Sequence, residues 1–292
     1  MINLPETAAS YEMPEGNSRW NRRVGVTIVL TASVVVIAVV LFALNSSQTT
    51  IHPPSSDSQF PTGVYNSAEP SGLAPTGATS LAGYKLSYLN DFKGTTLDAG
   101  WNLFTGIPNG DPGGQFASSH VVVSNGLLQL NAWKDPAYQN RWITGGLCQC
   151  GVPITYGAYF IRSRITAAGP NEVELLWPKT NTWPPEIDFN ETQGLSTSTT
   201  STLHWGAINQ IDQRTVTVNM LQWHTWGLIW TPKSITYIVD GQVWGTISNV
   251  AEITTVPMTL DFEQLAFCSQ HRECPTRPTS MLIDWITEYS PK

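Results

Sequence analysis

Charge is what this chain of 292 residues has least of, with only 13% of its side chains charged. Its 15 Lys and Arg are outnumbered by 22 Asp and Glu, for a net charge of -7. No basic cluster is present to neutralise phosphates, which excludes nucleic acid as a partner. Cysteine is scarce as well: Cys148, Cys150, Cys268 and Cys274 are the whole set. Their C-x-C and C-x5-C spacings lack the histidine pattern of a zinc site. Four cysteines permit three pairings, and spacing alone leaves them open, although Cys148 and Cys150 sit uncomfortably close for a mutual bond. Disulfides are expected only in an oxidising compartment. Beyond residue 81 no amphipathic helix of three turns can be found, and no internal repeat.

One stretch lacks charge altogether. Arg19, Arg22 and Arg23 precede an uncharged run, rich in Val, Ile and Leu, from Val24 to Leu44. At about 1.5 Å per residue such a helix spans a bilayer core of roughly 30 Å. The arginines on its N-terminal side put residues 1–22 in the cytoplasm, make 23–45 a transmembrane signal anchor and place the rest of the chain outside the cell. A cleaved signal peptide, and so a secreted protein, is the alternative. Its apolar core would normally be shorter, and Phe42-Ala43-Leu44-Asn45 is a poor cleavage site. Residues 46–80, rich in Ser, Thr, Pro and Gly, read as a flexible linker.

Residues 81–292 have the opposite texture, with short apolar runs broken by Gly, Pro and Asn. Ser124-Asn125-Gly126 and Asp240-Gly241 each lie between such runs. These dipeptides tolerate the positive φ angles of tight hairpins. Tyr156 to Thr166 alternates as a half-buried strand should, and Met281 to Tyr289 reads as a closing strand. Many short strands at this spacing predict an all-β domain, a jelly-roll sandwich of two antiparallel sheets.

The most telling stretch is Glu186-Ile187-Asp188-Phe189-Asn190-Glu191. Alternate side chains of a strand share a face, so Glu186 and Asp188 point one way while Ile187 and Phe189 point into a core. Glu191 joins the two acids if one extra residue is taken up as a bulge, a device common beside active sites. Like charges crowded on one face are a poor choice for a purely structural strand. Two converging carboxyls are what hydrolysis of a glycosidic bond needs, one to protonate the leaving oxygen and one to attack the sugar carbon. Crowding also raises the pKa of one of them, so that it can hold the proton.

With these pieces in order, residues 84–289 resemble glycoside hydrolase family 16, the jelly-roll glucanases and galactanases. The resemblance rests on Asn90-Asp91-Phe92-Lys93-Gly94, Asn125 to Leu130, Tyr156 to Arg164, Leu203-His204-Trp205-Gly206, Trp223 to Trp230 and Ile283-Asp284-Trp285. Most specific is the bulged E-x-D-x-x-E of residues 186–191. The resemblance implies Glu186 as nucleophile, Glu191 as general acid and then base, and Asp188 as the group that modulates both. It places His204 near the acids and Trp177, Trp183 and Trp205 against sugar rings, with Trp226, Trp230 and Trp285 in the core. It implies no cofactor for catalysis, a structural calcium at Asp284, and a polysaccharide partner, with a monomer expected. β-1,3-Glucan or mixed β-glucan leads as substrate, cleaved internally with retention of configuration. A lectin-like domain that grips glycan without cutting it, and a transglycosylase of the cell wall, are the alternatives. Two segments depart from the family pattern, Thr144 to Cys150 and Val173 to Trp177, where Glu174 appears; both are expected to approach the cleft. Asn190-Glu191-Thr192 also spells a glycosylation sequon, read as accidental.

Overall fold

The computed structural model describes residues 49–50, 59–75, 81–270 and 273–292. Residues 1–22, expected to be cytoplasmic, the apolar run 23–45 expected to span the membrane, and parts of the expected linker lie outside them. Among the described residues no helix is long and apolar enough to cross a membrane.

Two sheets face each other in an all-β sandwich, as the strand spacing predicted. The eight-stranded sheet runs in the order Thr49–Thr50, Gln210–Thr217, Ser198–Trp205, Glu186–Glu191, Asn171–Pro178, Met258–Leu265, Gly146–Cys148, Asn102–Leu103. The nine-stranded sheet is centred on Gly157–Ile165, which lies between His224–Trp230 and the long last strand Thr279–Pro291. Both hairpins form where expected. Asn125 and Asp240 take φ values of 55° and 48°, each followed by a glycine that shares the left-handed conformation.

Strand alternation builds the core. Tyr159, Ile161, Leu176, Ile187, Phe189, Leu203, Trp226 and Trp230 interdigitate between the sheets, each almost or wholly buried. Each buried Leu, Ile or Phe contributes roughly 1.5–3 kcal/mol, so this layer holds the two sheets in register. Trp285 is buried too, though in a separate cluster on the outer face of the nine-stranded sheet.

That outer cluster corrects two expectations. Residues 59–75, predicted as part of a flexible linker, include a short hairpin, Val64–Tyr65 with Leu73–Ala74, docked on the outer face. Phe60 packs against Phe160 with ring centroids 6.4 Å apart, the Trp285 indole donates to Leu73 O at 2.8 Å, and Thr225 Oγ1 donates to Thr62 O at 3.0 Å. Composition pointed to a linker, but a few apolar residues sufficed because an apolar face waited for them. For the same reason Gly157–Ile165 is buried on both faces instead of half-buried.

The four cysteines pair locally, Cys148 with Cys150 and Cys268 with Cys274, at Cα separations of 5.0 and 4.6 Å. The sequon is sterically closed: Asn190 and Thr192 are buried, and Asn190 Oδ1 accepts from Thr199 Oγ1 at 2.8 Å.

Glu174 differs from expectation. It lies on the same strand face as core Leu176, pointing between the sheets, where Ser163 Oγ donates to it. Burial pushes its pKa to about 8, and burial does the same to Glu288. Between the ordinary 4.5 and about 8 the folded chain therefore holds protons that the unfolded chain releases, so stability falls as pH rises through that window. The thermal midpoint is expected to decline with pH there, and Glu174→Gln or Glu288→Gln to flatten the decline. Thermal melts across the window check this, and a midpoint that climbs would refute it.

Candidate active site

The strand Glu186–Glu191 carries the bulge that its spacing predicted. Against Ser198–Trp205 the register runs Glu186 to His204 and Asp188 to Thr202, then shifts so that Glu191 meets Thr200. The neighbour on the other side shifts at the same place, with Leu175 opposite Asp188 and Glu174 opposite Asn190. Phe189 fills the core while all three acids keep to the exposed face of the sheet.

Each acid is held differently. Glu186 Oε2 accepts the Trp183 indole N–H at 2.6 Å. Glu191 takes three donors: Asn171 Nδ2 on Oε1 at 2.9 Å, and Thr200 and Thr202 hydroxyls on Oε2 at 3.3 and 3.2 Å. Asp188 is almost wholly buried, with His204 Nε2 3.6 Å from its Oδ2. The other ring nitrogen of His204 is 2.8 Å from Asn209 Oδ1, which fixes the plane of the imidazole.

Burial raises the pKa of Asp188 well above the ordinary range, and the charges of Glu186 and Glu191 push it further. Glu186 is raised as well, first by burial, although His204 and the Trp183 N–H oppose the rise. The hydrogen bond between these two carboxyls lowers Glu186 and raises Asp188, because two carboxyls can share a bond only when one is protonated. Of the two, Asp188 is the carboxyl pushed well above its ordinary range. Glu186, Asp188 and His204 each bring a ligand atom within 4.8 Å of the others.

Glu186 opens into a cleft of about 890 Å³, which Trp177 and Trp183 help to wall. Trp177 donates its indole N–H to Asn181 Oδ1 at 3.0 Å, and Trp183 lies tilted over His204 at 5.5 Å between centroids. Trp205 is not brought there. It follows His204 on the strand and so takes the opposite face, half-buried against the core. Cys150 lines the cleft, as expected of its segment, whereas Glu174 does not reach it.

Sequence reasoning passed over several residues of the site. Asn171, Thr200 and Thr202 hold Glu191, and Thr259, Asp261 and Glu263 line the cleft from the strand Met258–Leu265. Their signal was period-two alternation with core Leu260 and Phe262, and Thr200 and Thr202 likewise share the face of His204 while Leu203 enters the core.

Asp284, the expected calcium ligand, is fully buried on the far side of the nine-stranded sheet. Its Oδ2 accepts the Ser71 N–H at 3.0 Å, and Arg162 is near enough to draw its pKa down against the rise caused by burial. Calcium takes six to eight oxygens. A backbone N–H and a guanidinium beside a carboxylate are a poor fit to that need, and among the described residues no group of three acidic, His or Cys ligands includes Asp284.

A two-sheet sandwich with three carboxyls on one bulged strand of an aromatic-walled cleft has the architecture of a polysaccharide-cleaving glycosidase. The chain belongs to family 16 of the glycosyl hydrolases, whose sequence profile matches residues 114–287. No curated protein matches the chain. Among solved structures, the catalytic domain of an endo-1,3-β-glucanase (laminarinase) from Thermotoga petrophila superposes with a TM-score of 0.61 at 20% identity, covering 72% of this chain and 98% of that one. A laminarinase from Flavobacterium gives 0.61 at 20%, covering 70% and 100%. The endo-β-1,3-glucanase of Pyrococcus furiosus gives 0.59 at 18%, covering 72% and 95%.

Chelation with EDTA is expected to leave the thermal midpoint unchanged, since Asp284 Oδ2 accepts the Ser71 N–H and Arg162 lies nearby, leaving Oδ1 as its one buried oxygen with no hydrogen-bond partner. A fall on chelation, restored by calcium, would overturn that reading of the site.

Proposed function

We propose that the protein is an endo-acting hydrolase of β-linked glucan, β-1,3 or mixed in linkage, that works by double displacement with retention of configuration. The observation that carries this is the bulged strand, which gathers Glu186, Asp188 and Glu191 on one face of the sheet, with Glu186 lining an aromatic-walled cleft. In the first step Glu191 gives its proton to the glycosidic oxygen while the Glu186 carboxylate attacks the anomeric carbon. The bond to the leaving sugar breaks and a glycosyl ester forms on Glu186. In the second step Glu191, now a carboxylate, takes a proton from water as the water oxygen attacks the same carbon, and Glu186 is released.

The surroundings suit these roles. Asp188, holding the proton it shares with Glu186, keeps the nucleophile anionic, and it can return that hydrogen bond when the ester breaks. The Trp183 N–H orients the Glu186 carboxylate without neutralising it. Trp177 offers an aromatic face to a sugar ring and His204 a hydrogen-bonding edge. The β-glucan substrate is suggested by the names of the solved structures that share the fold.

The chain would act outside the cell as a monomer, tethered by residues 23–45 with residues 1–22 in the cytoplasm. Two disulfides in the folded domain agree with an oxidising side of the membrane.

The test is incubation of the full-length chain with laminarin, mixed-linkage β-glucan, agarose and carrageenan, scoring new reducing ends and, by NMR, the anomer first released. Wild type is expected to cut the β-glucans and release the β-anomer. Glu186→Gln should abolish cleavage, and Glu191→Gln should lower it by about 10²–10⁴-fold, the usual worth of a general acid. Binding without cleavage would instead favour a lectin, and longer products from a sugar acceptor would favour transglycosylation. Trp177→Ala is expected to raise KM with little change in kcat, because a stacking face serves ground state and transition state alike.

A further inference from the structure

Three acids account for the proposed chemistry, yet two more line the cleft beside Glu186. Asp261 and Glu263 project from the strand Met258–Leu265, two positions apart and so on one face, while Leu260 and Phe262 between and beside them enter the core. Their rows are fixed by register. Leu175 lies opposite both Asp188 and Asp261, and Val173 lies opposite both Glu191 and Glu263. The two columns of carboxyls are therefore parallel, one strand apart, separated by two neighbour spacings or about 9–10 Å. Between them lie Val173 and Leu175, both almost wholly buried.

A column of carboxyls at that distance is not explained by packing. Asp261 is almost wholly buried, and Thr259 Oγ1 donates to its Oδ1 at 2.9 Å. No guanidinium offsets the column: among the described residues that line the cleft, Lys179 is the one cationic side chain. The groups facing the pair are Glu186, Asp188 and Glu191 from the neighbouring column, with His204 beyond them.

We propose that Asp261 and Glu263 are the specificity-determining residues of the cleft, binding the sugar unit beside the cleavage point through its hydroxyls and barring any unit that carries sulfate or carboxylate. This rests on the glycosidase reading above and adds the charge class of the substrate. A pyranose in the cleft meets Glu186, Asp261 and Glu263 in its walls, with Trp177 beside Thr259 along the same edge. Carboxyl groups are apt partners for its hydroxyls, since an ionised one accepts and a protonated one both accepts and donates. Glu263 is of the second kind in the empty cleft, its pKa raised to about 8 by burial and then by Glu186. Asp261 is raised by burial and by Glu263. An anionic sugar at this point meets Asp261, Glu263 and Glu186, with Lys179 the one cationic side chain among the described lining residues, so it must face like charge or be desolvated against neutral carboxyls. A neutral glucan meets only hydrogen-bonding groups.

The experiment compares laminarin with carboxymethylated laminarin on the full-length wild type and on Asp261→Asn, Glu263→Gln and the double variant. The amides keep shape and most hydrogen bonding and remove only the charge and the proton. Wild type is expected to cut the neutral polymer and to discriminate strongly against the anionic one. In the double variant KM for the neutral polymer should rise roughly tenfold, the worth of about one charge-assisted hydrogen bond, with kcat retained. Its discrimination between neutral and anionic polymer should fall by tenfold or more. A purely structural role would change stability and leave that ratio alone, so an unchanged ratio in both single variants and the double overturns the proposal. If wild type cuts neither polymer, the hydrolase reading fails separately, and calorimetric binding of the same two polymers decides this one. Preference for the neutral polymer that the variants lose supports it, whereas equal binding or none overturns it.

Discussion

The structure depends on one local irregularity, the extra residue in the strand Glu186–Glu191. A regular strand of this sequence would send Glu191 into the core with Ile187 and Phe189, where an ionised carboxyl costs several kcal/mol. The bulge lets Phe189 fill the core and returns Glu191 to the face of Glu186 and Asp188. Both neighbouring strands shift register at the same point, so the irregularity is shared by three strands and held by their ladders. Thr200 and Thr202 then fall opposite Glu191 and Asp188, and the hydroxyls that hold Glu191 come from register alone.

Gathering acids on one sheet has an electrostatic cost, and the protein meets it with protons more than with cations. Asp188, Asp261 and Glu263 all have raised pKa values, in each case chiefly through burial. Inside the sandwich the same solution recurs at Glu172, which takes the Gln264 side-chain amide at 2.8 Å, and at Glu174 beside Ser163. A neutral carboxyl is a modest burden in a core when hydrogen-bonded, while an arginine partner would need volume these strands do not offer. A cleft neutralised by protons also changes its charge when substrate or a reaction step moves one of them. A cleft neutralised by arginines would not.

What could be read from the sequence was what short-range geometry decides. Asn125-Gly126 and Asp240-Gly241 fix their turns through their own backbone preferences. The spacing of Glu186, Asp188 and Glu191 required a bulge wherever the strand was placed. Trp205, Glu174, Asp261 and Glu263 were harder, because the meaning of each depends on a neighbouring strand. The resemblance put Trp205 in the cleft, but it follows His204, and adjacency along a strand sends two side chains to opposite faces. Glu174 was placed near the cleft by its segment and lies in the core by its parity. Asp261 and Glu263 were visible as alternation, yet nothing in the sequence says that their strand lies one strand away from the catalytic acids.

The docked hairpin of residues 59–75 shows a further limit of composition as a guide. Ser, Pro and Gly predominate there, and a segment so poor in apolar residues cannot bury enough surface to order itself. It does not order itself, since Ala158, Phe160, Ile238 and Trp285 already form an apolar outer face, which Phe60 completes. Leu73 O and Thr62 O take the indole and hydroxyl hydrogens that the face presents. The cost of ordering is offset by a surface that the rest of the domain supplies, so the segment's fate is written in Gly157–Ile165 and Thr279–Pro291 rather than in its own residues. Because that surface is the outer side of the nine-stranded sheet, residues 59–75 run along the back of the sandwich. The acid-bearing face belongs to the other sheet, the eight-stranded one.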